Sequence, residues 1–338
     1  MHKRILITGG TGSLGSRLVQ DLLINKPDAT VVVYSRDVWK QERLKQKLEQ
    51  AGLRQQVEKN LRLFIGDIRD PQRLKRAIGH RTTTIVHAAA IKYVGIGEYN
   101  PTEFDQTNIQ GTRNVAEAAI DAKVERCLFI SSDKACQAIN LYGMTKAVGE
   151  RLWVRYNMFG YPRTHFSALR YGNVFDSQGS VMHVWQMAIE HNEPIRVRTP
   201  NPTRFIQFLK WGSKWVQEIL PIMRGGEIFV PNNLKAVDME SVAKSLIADT
   251  SIEILYEPIQ SGEKQHEILL APEEHRAAVI VGNFIVINPD NPQWQYEAWR
   301  GVPMYDEPYQ SGTVPRMSGE EFLQLYKLEA TKLIGRGA

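Results

Sequence analysis

Short apolar runs alternate with amphipathic segments along the first half of the chain. Continuous apolar runs predict buried strands at 4–8, 30–34, 62–65, 84–86, 126–130 and 165–170. Apolar residues at helical spacing predict helices at 13–23, 41–51, 71–78, 107–122 and about 142–159. Strands that alternate with helices of this length form βαβ units. The pattern therefore predicts an α/β fold with a doubly wound parallel sheet, covered by helices on both faces.

The pattern changes after about residue 171, where proline and glycine become frequent. Short strands are expected at 227–230 and 253–256, and a helix at 238–248. We expect a smaller, irregular α/β region here, and we divide the chain into 1–175 and 176–338, with some later segments returning to the first part. The segment 288–319 is rich in Pro, Tyr, Trp and Gln. Two interpretations stay open for it, a long loop over a pocket or an oligomer contact.

Composition and charge exclude several classes of protein. The chain has 338 residues, of which 43% are hydrophobic and 23% charged, as in ordinary globular proteins. The net charge of +5 comes from scattered basic residues, which argues against a nucleic-acid surface. No apolar run approaches the length of a membrane span. Residues 1–4 lead directly into the first strand and do not resemble a signal peptide. We therefore expect a soluble, cytoplasmic protein.

The two cysteines, Cys127 and Cys136, also limit the possible chemistry. Two cysteines cannot build a disulfide framework, and they suit a reducing compartment. Neither belongs to a Cys-x-x-Cys pair, so the sequence predicts no zinc or other metal site.

The first predicted strand ends in a glycine-rich turn. Gly10, Gly12 and Gly15 match the G-x-G-x-x-G fingerprint of Rossmann-like dinucleotide-binding folds, and Gly9 adds a further glycine. Such a turn lets a pyrophosphate approach the backbone at the positive end of the next helix. The alternative is a turn of purely structural use. The candidate cofactor residues of this turn are Thr8, Gly9, Gly10, Gly12, Ser13, Leu14 and Gly15.

The residues after the second strand indicate which dinucleotide is preferred. Ser35, Arg36 and Lys40 stand where NAD-binding chains usually carry Asp or Glu. Ser and Arg can neutralise a 2′-phosphate, so NADP is favoured over NAD. Asp37 complicates this, because it could bind the ribose if the loop is displaced. Asp67, after the third strand, is placed to accept from the adenine amino group, or alternatively caps the turn that follows it.

Tyr142 and Lys146 form a Tyr-x-x-x-Lys pair on one helix face, after a strand that ends in Ser131 and Ser132. A Lys ammonium beside a phenol favours the phenolate and would lower the pKa of the tyrosine. This pair would make a general base for the removal of a proton from a sugar hydroxyl.

The motifs together resemble the extended short-chain dehydrogenase/reductase superfamily. Ser131-Ser132-Asp133-Lys134-Ala135 and Asn140-Leu141-Tyr142-Gly143 are similar to blocks of the UDP-N-acetylglucosamine 4,6-dehydratases. Further similar blocks begin at His87, Arg170, Thr203, Gly226 and Gly262. Within this polysaccharide biosynthesis family, the chain resembles the soluble inverting enzymes of the pseudaminic acid pathway. The tyrosine at position 142 favours this group.

The resemblance implies a lyase reaction on a nucleotide sugar and a task for each residue. Tyr142 takes the C4 hydroxyl proton as NADP⁺ takes the C4 hydride, which later returns to C6. Lys134, if neutral, removes the C5 hydrogen, and it takes part in the reprotonation that inverts C5. Asp133, if protonated, donates to the leaving C6 hydroxyl, and Ser132 orients the substrate and the phenol. The alternative for Asp133 and Lys134 is a surface ion pair of little energetic value.

The resemblance also implies binding residues and assembly. Further cofactor candidates are Ile68, Ala88, Ala89, Ala90, Lys92, Asn108, Tyr171, Asn173 and Val174, together with Tyr142 and Lys146. Substrate candidates are Lys92, Asn173, Ser180, Val181, Thr203, Arg204 and Glu263. Lys92 and Arg204 have an alternative as solvated surface cations. The expected assembly is a homo-oligomer, a dimer at least and a hexamer by resemblance.

The sequence departs from the family pattern mainly on the substrate side. Gln260 replaces an arginine that grips the diphosphate in the family, and changes also occur at 137–138, 176–178 and Pro202. These changes affect the identity of the substrate more than the type of reaction. We expect a dehydratase acting on UDP-N-acetylglucosamine. The rivals are a nucleotide-sugar 4-epimerase, a non-inverting dehydratase on another UDP-sugar, and a non-catalytic NADP-binding sensor.

Overall fold

The structure is a computed structural model that describes residues 3–290, 292–304 and 308–330. Its central element is a ten-stranded sheet. The strands of the whole chain are β1 (Arg4–Thr8), β2 (Thr30–Ser35), β3 (Leu61–Ile65), β4 (Thr84–His87), β5 (Arg126–Ile130), β6 (His165–Leu169), β7 (Ile195–Thr199), β8 (Thr203–Phe205), β9 (Ile228–Pro231), β10 (Ala236–Asp238), β11 (Ile254–Pro258), β12 (Ile268–Leu270), β13 (Ala278–Val281), β14 (Phe284–Ile287), β15 (Val302–Pro303), β16 (Tyr309–Gln310) and β17 (Arg316–Met317).

The helices alternate with these strands in the first half and become irregular later. They are α1 (Ser13–Asn25), α2 (Val38–Leu48), α3 (Arg54–Asn60), α4 (Pro71–Ile78), α5 (Val94–Gly97), α6 (Pro101–Phe104), α7 (Gly111–Asp121), α8 (Leu141–Arg155), α9 (Asn157–Gly160), α10 (Val181–Glu190), α11 (Leu209–Ile222), α12 (Met239–Ile247) and α13 (Gly319–Ala330). Short 3₁₀ turns occupy Asp133–Ala135 and Pro272–Ala277, and π-helical turns occupy Glu49–Leu53 and Asp105–Gln110.

The order of the strands gives the sheet two parts. The strands β3-β2-β1-β4-β5-β6-β9 are parallel neighbours. Beyond β9, the strands β14, β13 and β15 continue the sheet in antiparallel pairs. The order reverses between β1 and β4, where both strands end at the same edge. This is the doubly wound arrangement, and the predicted α/β fold is confirmed.

The hydrophobic pattern explains the core. The strands β1 and β2 contribute continuous buried runs, with Leu6, Ile7, Val32 and Val33 all without exposure. Such runs are typical of parallel strands that are covered on both faces. A second buried cluster lies under α10, α12 and α13. Its members include Phe175, Met182, Trp185, Val242 and Phe322. The division of the chain at residue 175 stays a proposal.

Several predicted helices differ in their limits; the one expected at 107–122, for example, begins at Gly111 after a π-helical turn. Two of the differences have a clear local cause. The helix expected at 41–51 begins at Val38, because the Asp37 carboxylate accepts the backbone N–H of Lys40 at 2.9 Å. The helix expected at 142–159 ends at Arg155. There, the Asn157 side chain donates to the carbonyls of Val154 (2.8 Å) and Phe166 (2.7 Å), and α9 forms a separate turn.

The segment after β14 lies against the antiparallel edge of the sheet. Asn288 anchors it, because its carboxamide oxygen accepts from the backbone N–H of Trp299 (2.8 Å) and the hydroxyl of Tyr296 (3.0 Å). The strand β15 then pairs with β13. Position 291 and positions 305–307 of this predicted loop lie outside the described residues, as do positions 1, 2 and 331–338.

Two features are absent from the described part of the chain. None of its helices combines the length and the apolar character needed to cross a bilayer. The described residues also hold no cluster of His, Cys, Asp and Glu that could bind a metal ion.

Candidate active site

The glycine-rich turn between β1 and α1 packs its backbone too closely for side chains at Gly9 and Gly15. Gly9 has a φ of +67°, and a Cβ on it would meet the Ala89 backbone at 2.8 Å. A Cβ on Gly15 would lie 2.4 Å from the carbonyl oxygen of Gly9. Gly12 is the N-cap of α1 and offers no side chain to the first N–H groups. The turn can therefore hold a phosphate group on its backbone donors, as a dinucleotide requires.

A buried histidine holds the strands around this turn. The two ring nitrogens of His87 contact the hydroxyls of Thr8 (2.6 Å) and Thr112 (3.0 Å). Burial lowers the pKa of His87 to about 3, and Lys146 acts in the same direction. His87 therefore stays neutral, joins β4 to β1 and α7, and keeps Thr8 within 3.3 Å of the Ala89 N–H.

The residues expected around the adenosine lie together at the ends of β2 and β3. Arg36 is exposed, and its guanidinium lies 3.5 Å from the Asp67 carboxylate. The hydroxyl of Ser35 accepts from Gln41 at 3.0 Å. Lys40 and Asp37 form an exposed pair at 3.8 Å. An exposed basic group thus lies at the tip of β2, beside the Asp67 carboxylate, and its contact with a 2′-phosphate stays a prediction.

Asp67 has protein partners that the sequence did not suggest. Its carboxylate accepts the Arg69 backbone N–H at 2.9 Å and the Arg69 guanidinium at 2.8 Å. Burial acts to raise the pKa of Asp67, but the bonds from Arg69 outweigh it and the pKa is lowered. Asp67 thus closes its own turn, while Asp70 caps α4. Its contact with adenine stays a prediction.

Asn108 shapes the segment after β4, which carries Ala88, Ala89, Ala90 and Lys92. Its carboxamide bonds both the N–H (2.9 Å) and the carbonyl (3.0 Å) of Ile91, and it donates to Thr145 of α8 at 3.1 Å. Asn108 therefore positions this segment against α8. Ile68 is buried beside Gly111, at the start of α7.

Tyr142 and Lys146 lie on α8, one turn apart, as the spacing predicts. Asn140 caps this helix by accepting the N–H of Gly143 at 2.7 Å. The Lys146 amine donates to the Ile130 carbonyl at 2.5 Å and lies 3.8 Å from the Phe129 ring centroid. Burial lowers the pKa of Lys146 to about 7, although Glu150 acts in the opposite direction.

The expected lowering of the phenol pKa is wrong for this structure. Burial raises the pKa of Tyr142, while a hydrogen bond with Ser132 and the charge of Lys134 act to lower it. The cation that acts on the phenol is thus Lys134, because Lys146 is engaged with the end of β5. Spacing along a helix indicates a shared face, but it does not determine which cation is nearest.

Asp133 and Lys134 form a buried cluster and not a surface ion pair. Asp133 is 1% exposed; its Oδ1 accepts from Ser132 at 2.8 Å and from the Lys134 amine at 3.3 Å. Its Oδ2 lacks a partner among the described residues. Burial raises the pKa of Asp133, and Glu267 adds to this, whereas Lys134 acts against it. The raised pKa brings the Asp133 carboxyl closer to the protonated form that an acid catalyst needs.

Lys134 has three oxygen partners. Its amine donates to Asn173 at 2.7 Å, to Glu267 at 3.2 Å and to Asp133 at 3.3 Å. Burial acts to lower the pKa of Lys134, but Asp133 and Glu267 outweigh it and raise the pKa. The neutral amine that was expected for a base is therefore disfavoured, because two carboxylates stabilise the ammonium.

Glu267 is a residue of this cluster that sequence reasoning missed as a functional group. It is 3% exposed, and its Oε1 lies 3.2 Å from the Lys134 amine and 3.7 Å from the Arg204 guanidinium. Burial acts to raise the pKa of Glu267, but these two cations outweigh it and the pKa is lowered. The only signal in the sequence was its place in the block that begins at Gly262.

The predicted substrate residues do not all converge. Arg204 and Asn173 face the Asp133–Lys134 cluster. Thr203 is buried, with its hydroxyl 2.8 Å from both His266 and Ser311. The Glu263 carboxylate forms an ion pair with the Arg198 guanidinium at 3.1 Å. Thr203 and Glu263 therefore already have partners inside the protein.

The remaining candidates border the glycine-rich turn. Ser180 is the N-cap of α10, which begins at Val181, and its hydroxyl donates to the Phe175 carbonyl at 2.6 Å. The Lys92 amine lies 3.4 Å from the Gln178 carbonyl, and burial lowers its pKa. Gln178 in turn donates its N–H to Ser13 at 3.3 Å.

The end of β6 completes the site from the other side. The carbonyl of Tyr171 accepts the Asp133 N–H at 3.0 Å, and burial raises the pKa of the Tyr171 phenol. Gly172 donates its N–H to Gln207 at 2.9 Å. Val174 is a half-buried residue beside the main core. The carboxyl ends of β1, β4, β5 and β6 thus surround one region, as expected for a ligand site in a parallel sheet.

Comparison with known proteins agrees with this geometry. Residues 5–289 match the family described as polysaccharide biosynthesis protein. The chain is 37% identical to a UDP-N-acetylglucosamine 4,6-dehydratase (inverting) of Campylobacter jejuni serotype O:23/36, over 85% of this chain and 83% of that protein. It is also 32% identical to a UDP-glucose 4-epimerase of Rickettsia felis, over 96% and 95% of the two chains.

Solved structures share the fold. Pen from Bacillus thuringiensis superimposes with a TM-score of 0.86 at 31% identity, over 97% of this chain and 98% of that chain. The dTDP-glucose 4,6-dehydratase DesIV from Streptomyces venezuelae, solved with NAD and TYD bound, gives a TM-score of 0.65 at 20% identity, over 78% and 86%.

The doubly wound sheet, the glycine-rich turn and the Tyr142–Lys146 pair define an extended short-chain dehydrogenase/reductase. The match over 5–289 and the identity to the Campylobacter protein narrow this class. The chain belongs to the polysaccharide biosynthesis protein family.

Proposed function

We propose that the protein is an NADP-dependent lyase, a UDP-N-acetylglucosamine 4,6-dehydratase that inverts C5. The observation that carries this is the buried Asp133 carboxyl, whose pKa is raised and which lies beside Lys134, Ser132 and Tyr142. An elimination needs an acid for the leaving hydroxyl, and oxidation at C4 alone does not. The Campylobacter relative, named as inverting, supports both the substrate and the stereochemistry.

The residues of the turn fit a dinucleotide, since Gly12 leaves the first N–H groups of α1 without a side-chain cap. The proposed cofactor residues remain those named from the sequence. A bound nicotinamide would supply hydride transfer from C4 of the sugar to C6. Arg36 supports NADP over NAD, because its exposed guanidinium can pair with a 2′-phosphate.

The side chains at the strand ends would move the protons. Tyr142 accepts the C4 hydroxyl proton as the phenolate, the form that the Ser132 hydrogen bond and the charge of Lys134 favour. Ser132 orients both groups. The C5 hydrogen, acidified once C4 is a ketone, leaves toward Lys134. Asp133 donates its proton to the C6 hydroxyl, which departs as water. Asn173 holds the Lys134 amine at 2.7 Å, and so fixes the direction from which Lys134 approaches the sugar.

A 4-epimerase is the second candidate, since the Rickettsia relative matches nearly the whole chain. An epimerase needs only the return of the hydride to the opposite face of C4. A buried carboxyl with a raised pKa, such as Asp133, and its partner Lys134 would have no task there, which favours dehydration. A non-catalytic NADP-binding sensor needs none of these side chains.

The remaining expectations stay predictions. Lys92, Asn173, Ser180, Val181, Thr203, Arg204 and Glu263 are the proposed substrate side of the site. Gln260 supplies no charge for the diphosphate, and its N–H is bound by Glu263 at 3.1 Å. A homo-oligomer and a cytoplasmic location are likewise predictions from the sequence.

The test is incubation of the purified protein with UDP-N-acetylglucosamine in deuterated water, followed by proton NMR. Growth of a C6 methyl signal with deuterium at C5 is the expected result, and ring couplings report inversion. A change of C4 configuration without a methyl signal would establish the epimerase instead. No change over hours, with the dinucleotide confirmed bound, would refute the substrate assignment.

A further inference from the structure

The protonation of Lys134 poses a problem for the proposed reaction. Lys134 donates hydrogen bonds to three oxygens and is held as an ammonium by two carboxylates. An ammonium cannot take the C5 hydrogen as a proton. Its own proton must therefore move to a neighbouring group first, and that group must be ionised and within hydrogen-bond distance.

Glu267 meets both requirements, whereas Asp133 does not. Its Oε1 lies 3.2 Å from the Lys134 amine, and the cations Lys134 and Arg204 favour its ionised form. Its Oε2 is buried and lacks a partner among the described residues, so the carboxylate is under-solvated. Asp133 has to keep its proton for the C6 hydroxyl.

We propose that Glu267 is the proton-holding partner of Lys134, taking one proton from the ammonium as Lys134 removes the C5 hydrogen, and returning it afterwards. Glu267 acts through Lys134 and is thus a positioning residue. This inference rests on the proposed dehydratase function. Its support is geometric, because the Glu267 and Asp133 carboxyls both lie within hydrogen-bond distance of the same amine.

The protons and electrons balance in this scheme. An N–H bond of Lys134 breaks and an O–H bond forms on Glu267; the C5–H bond breaks and an N–H bond forms on Lys134. The C5 electron pair forms the C5–C6 double bond as the C6–O bond breaks, and Asp133 protonates the leaving oxygen. Later, Lys134 gives a proton to C5 in the reprotonation that inverts this centre, and Glu267 returns its own proton to Lys134, which restores the ammonium. Asp133 is restored by the proton that Tyr142 took, with Ser132 hydrogen-bonded to both.

The surroundings of Glu267 suit a group that holds a proton only briefly. Lys134 and Arg204 face its carboxylate directly, and the charges of Lys264, Asp133 and Tyr142 also act on this cluster. Its backbone is fixed because its N–H donates to Ser311 at 2.9 Å. The carboxylate therefore stays in reach of Lys134 while its charge changes.

The test compares Glu267→Gln, which keeps the shape and loses the charge, with Glu267→Asp, which keeps the charge. The matched control is Glu227→Gln, another buried glutamate whose Oε2 lacks a described partner, placed outside the site with its Oε1 on the Arg224 N–H. Methyl formation from UDP-N-acetylglucosamine is followed with C5-protonated and C5-deuterated substrate, over a range of pH.

We expect Glu267→Gln to lower kcat by about 100-fold, with KM within about threefold, since general acid–base groups contribute about 10² or more. Its C5 deuterium isotope effect rises, because removal of that hydrogen becomes rate-limiting. The alkaline limb of its pH profile moves to lower pH, because loss of the negative charge lowers the pKa of Asp133. Glu267→Asp retains more activity and the wild-type limb, and Glu227→Gln behaves as wild type.

Two results would overturn this inference and leave the proposed dehydratase function standing. One is a Glu267→Gln protein with kcat within about threefold of wild type. The other is a loss of kcat in which neither the isotope effect nor the pH limb moves, which identifies Glu267 as a structural support of Arg204. If Glu267→Gln does not fold, Glu267→Asp provides the test. A C5 isotope effect that is raised at every pH supports the inference. An isotope effect and a kcat that both equal those of wild type overturn it. Absence of methyl product with wild type refutes the proposed function and this inference with it.

Discussion

Arg170 offers the sharpest test of how the fold supports the site. Its guanidinium is buried between Glu150 of α8 and Glu274 of the 272–277 turn, at 2.6 Å and 2.7 Å. It also donates to the Leu269 carbonyl at 3.0 Å. Arg170→Met would leave two carboxylates buried without their common cation, and breaking a buried pair costs about 3–5 kcal/mol.

This cost can be converted into a melting temperature. An unfolding entropy of about 2.1 cal/mol/K per residue, over a chain of this length, turns it into a Tm lower by roughly 4–7 °C. Calorimetry of wild type, Arg170→Met and Glu150→Gln checks the value. Glu150→Gln is expected to cost less, about 1–3 kcal/mol, because Arg170 keeps Glu274 as a charged partner.

The pH dependence of the stability gives a second test of the ion pairs around Arg170. Burial acts to raise the pKa of Glu274, but Arg170 outweighs it and the pKa is lowered. The stabilisation is therefore present above the unfolded-state pKa of about 4.3 and is lost as the pH falls through the lower folded-state value. In Arg170→Met, this acid-induced loss of stability is expected to be absent, because the cation that lowers the pKa of Glu274 has been removed. A Tm change below about 1 °C at neutral pH would refute the argument.

Three further outcomes are expected. Gly15→Ala places a Cβ 2.4 Å from the Gly9 carbonyl and should weaken dinucleotide binding at least tenfold, measured by calorimetric titration. Arg36→Ala should lower the preference for NADP over NAD about tenfold, because one charge-assisted contact is lost; equal Kd ratios would argue against that contact. Asp133→Asn should reduce methyl formation by about 10²–10⁴ and still allow oxidation at C4, visible as the absorbance of reduced nicotinamide.

The parallel half of the fold was predictable because each of its strands is a continuous apolar run. The strands 4–8 and 126–130 agree with β1 and β5 to the residue. The antiparallel extension was not, because β14 pairs with β9 and β15 with β13, strands whose partnership depends on contacts distant in the chain. Short strands of two to four residues also carry too little periodicity to be recognised.

The candidate site, like the fold, could be predicted only in part from the sequence. The spacing of Tyr142 and Lys146 indicated one helix face, and the resemblance to the dehydratases added Asp133 and Lys134. Glu267 reaches Lys134 from more than a hundred residues away, so its role became visible only in three dimensions. Protonation could not be predicted from residue type alone, because it depends on burial and on which charges surround each group.

The strand order has a consequence for any attempt to divide this protein. A fragment ending at residue 175 would carry β6 as an edge, since its outer neighbour β9 belongs to a much later segment. An apolar strand such as His165–Leu169 with unpaired N–H and C=O groups is a template for association with other chains. We therefore expect the isolated N-terminal half to aggregate. During synthesis, that edge stays uncovered until β9 has been made, some sixty residues after the end of β6.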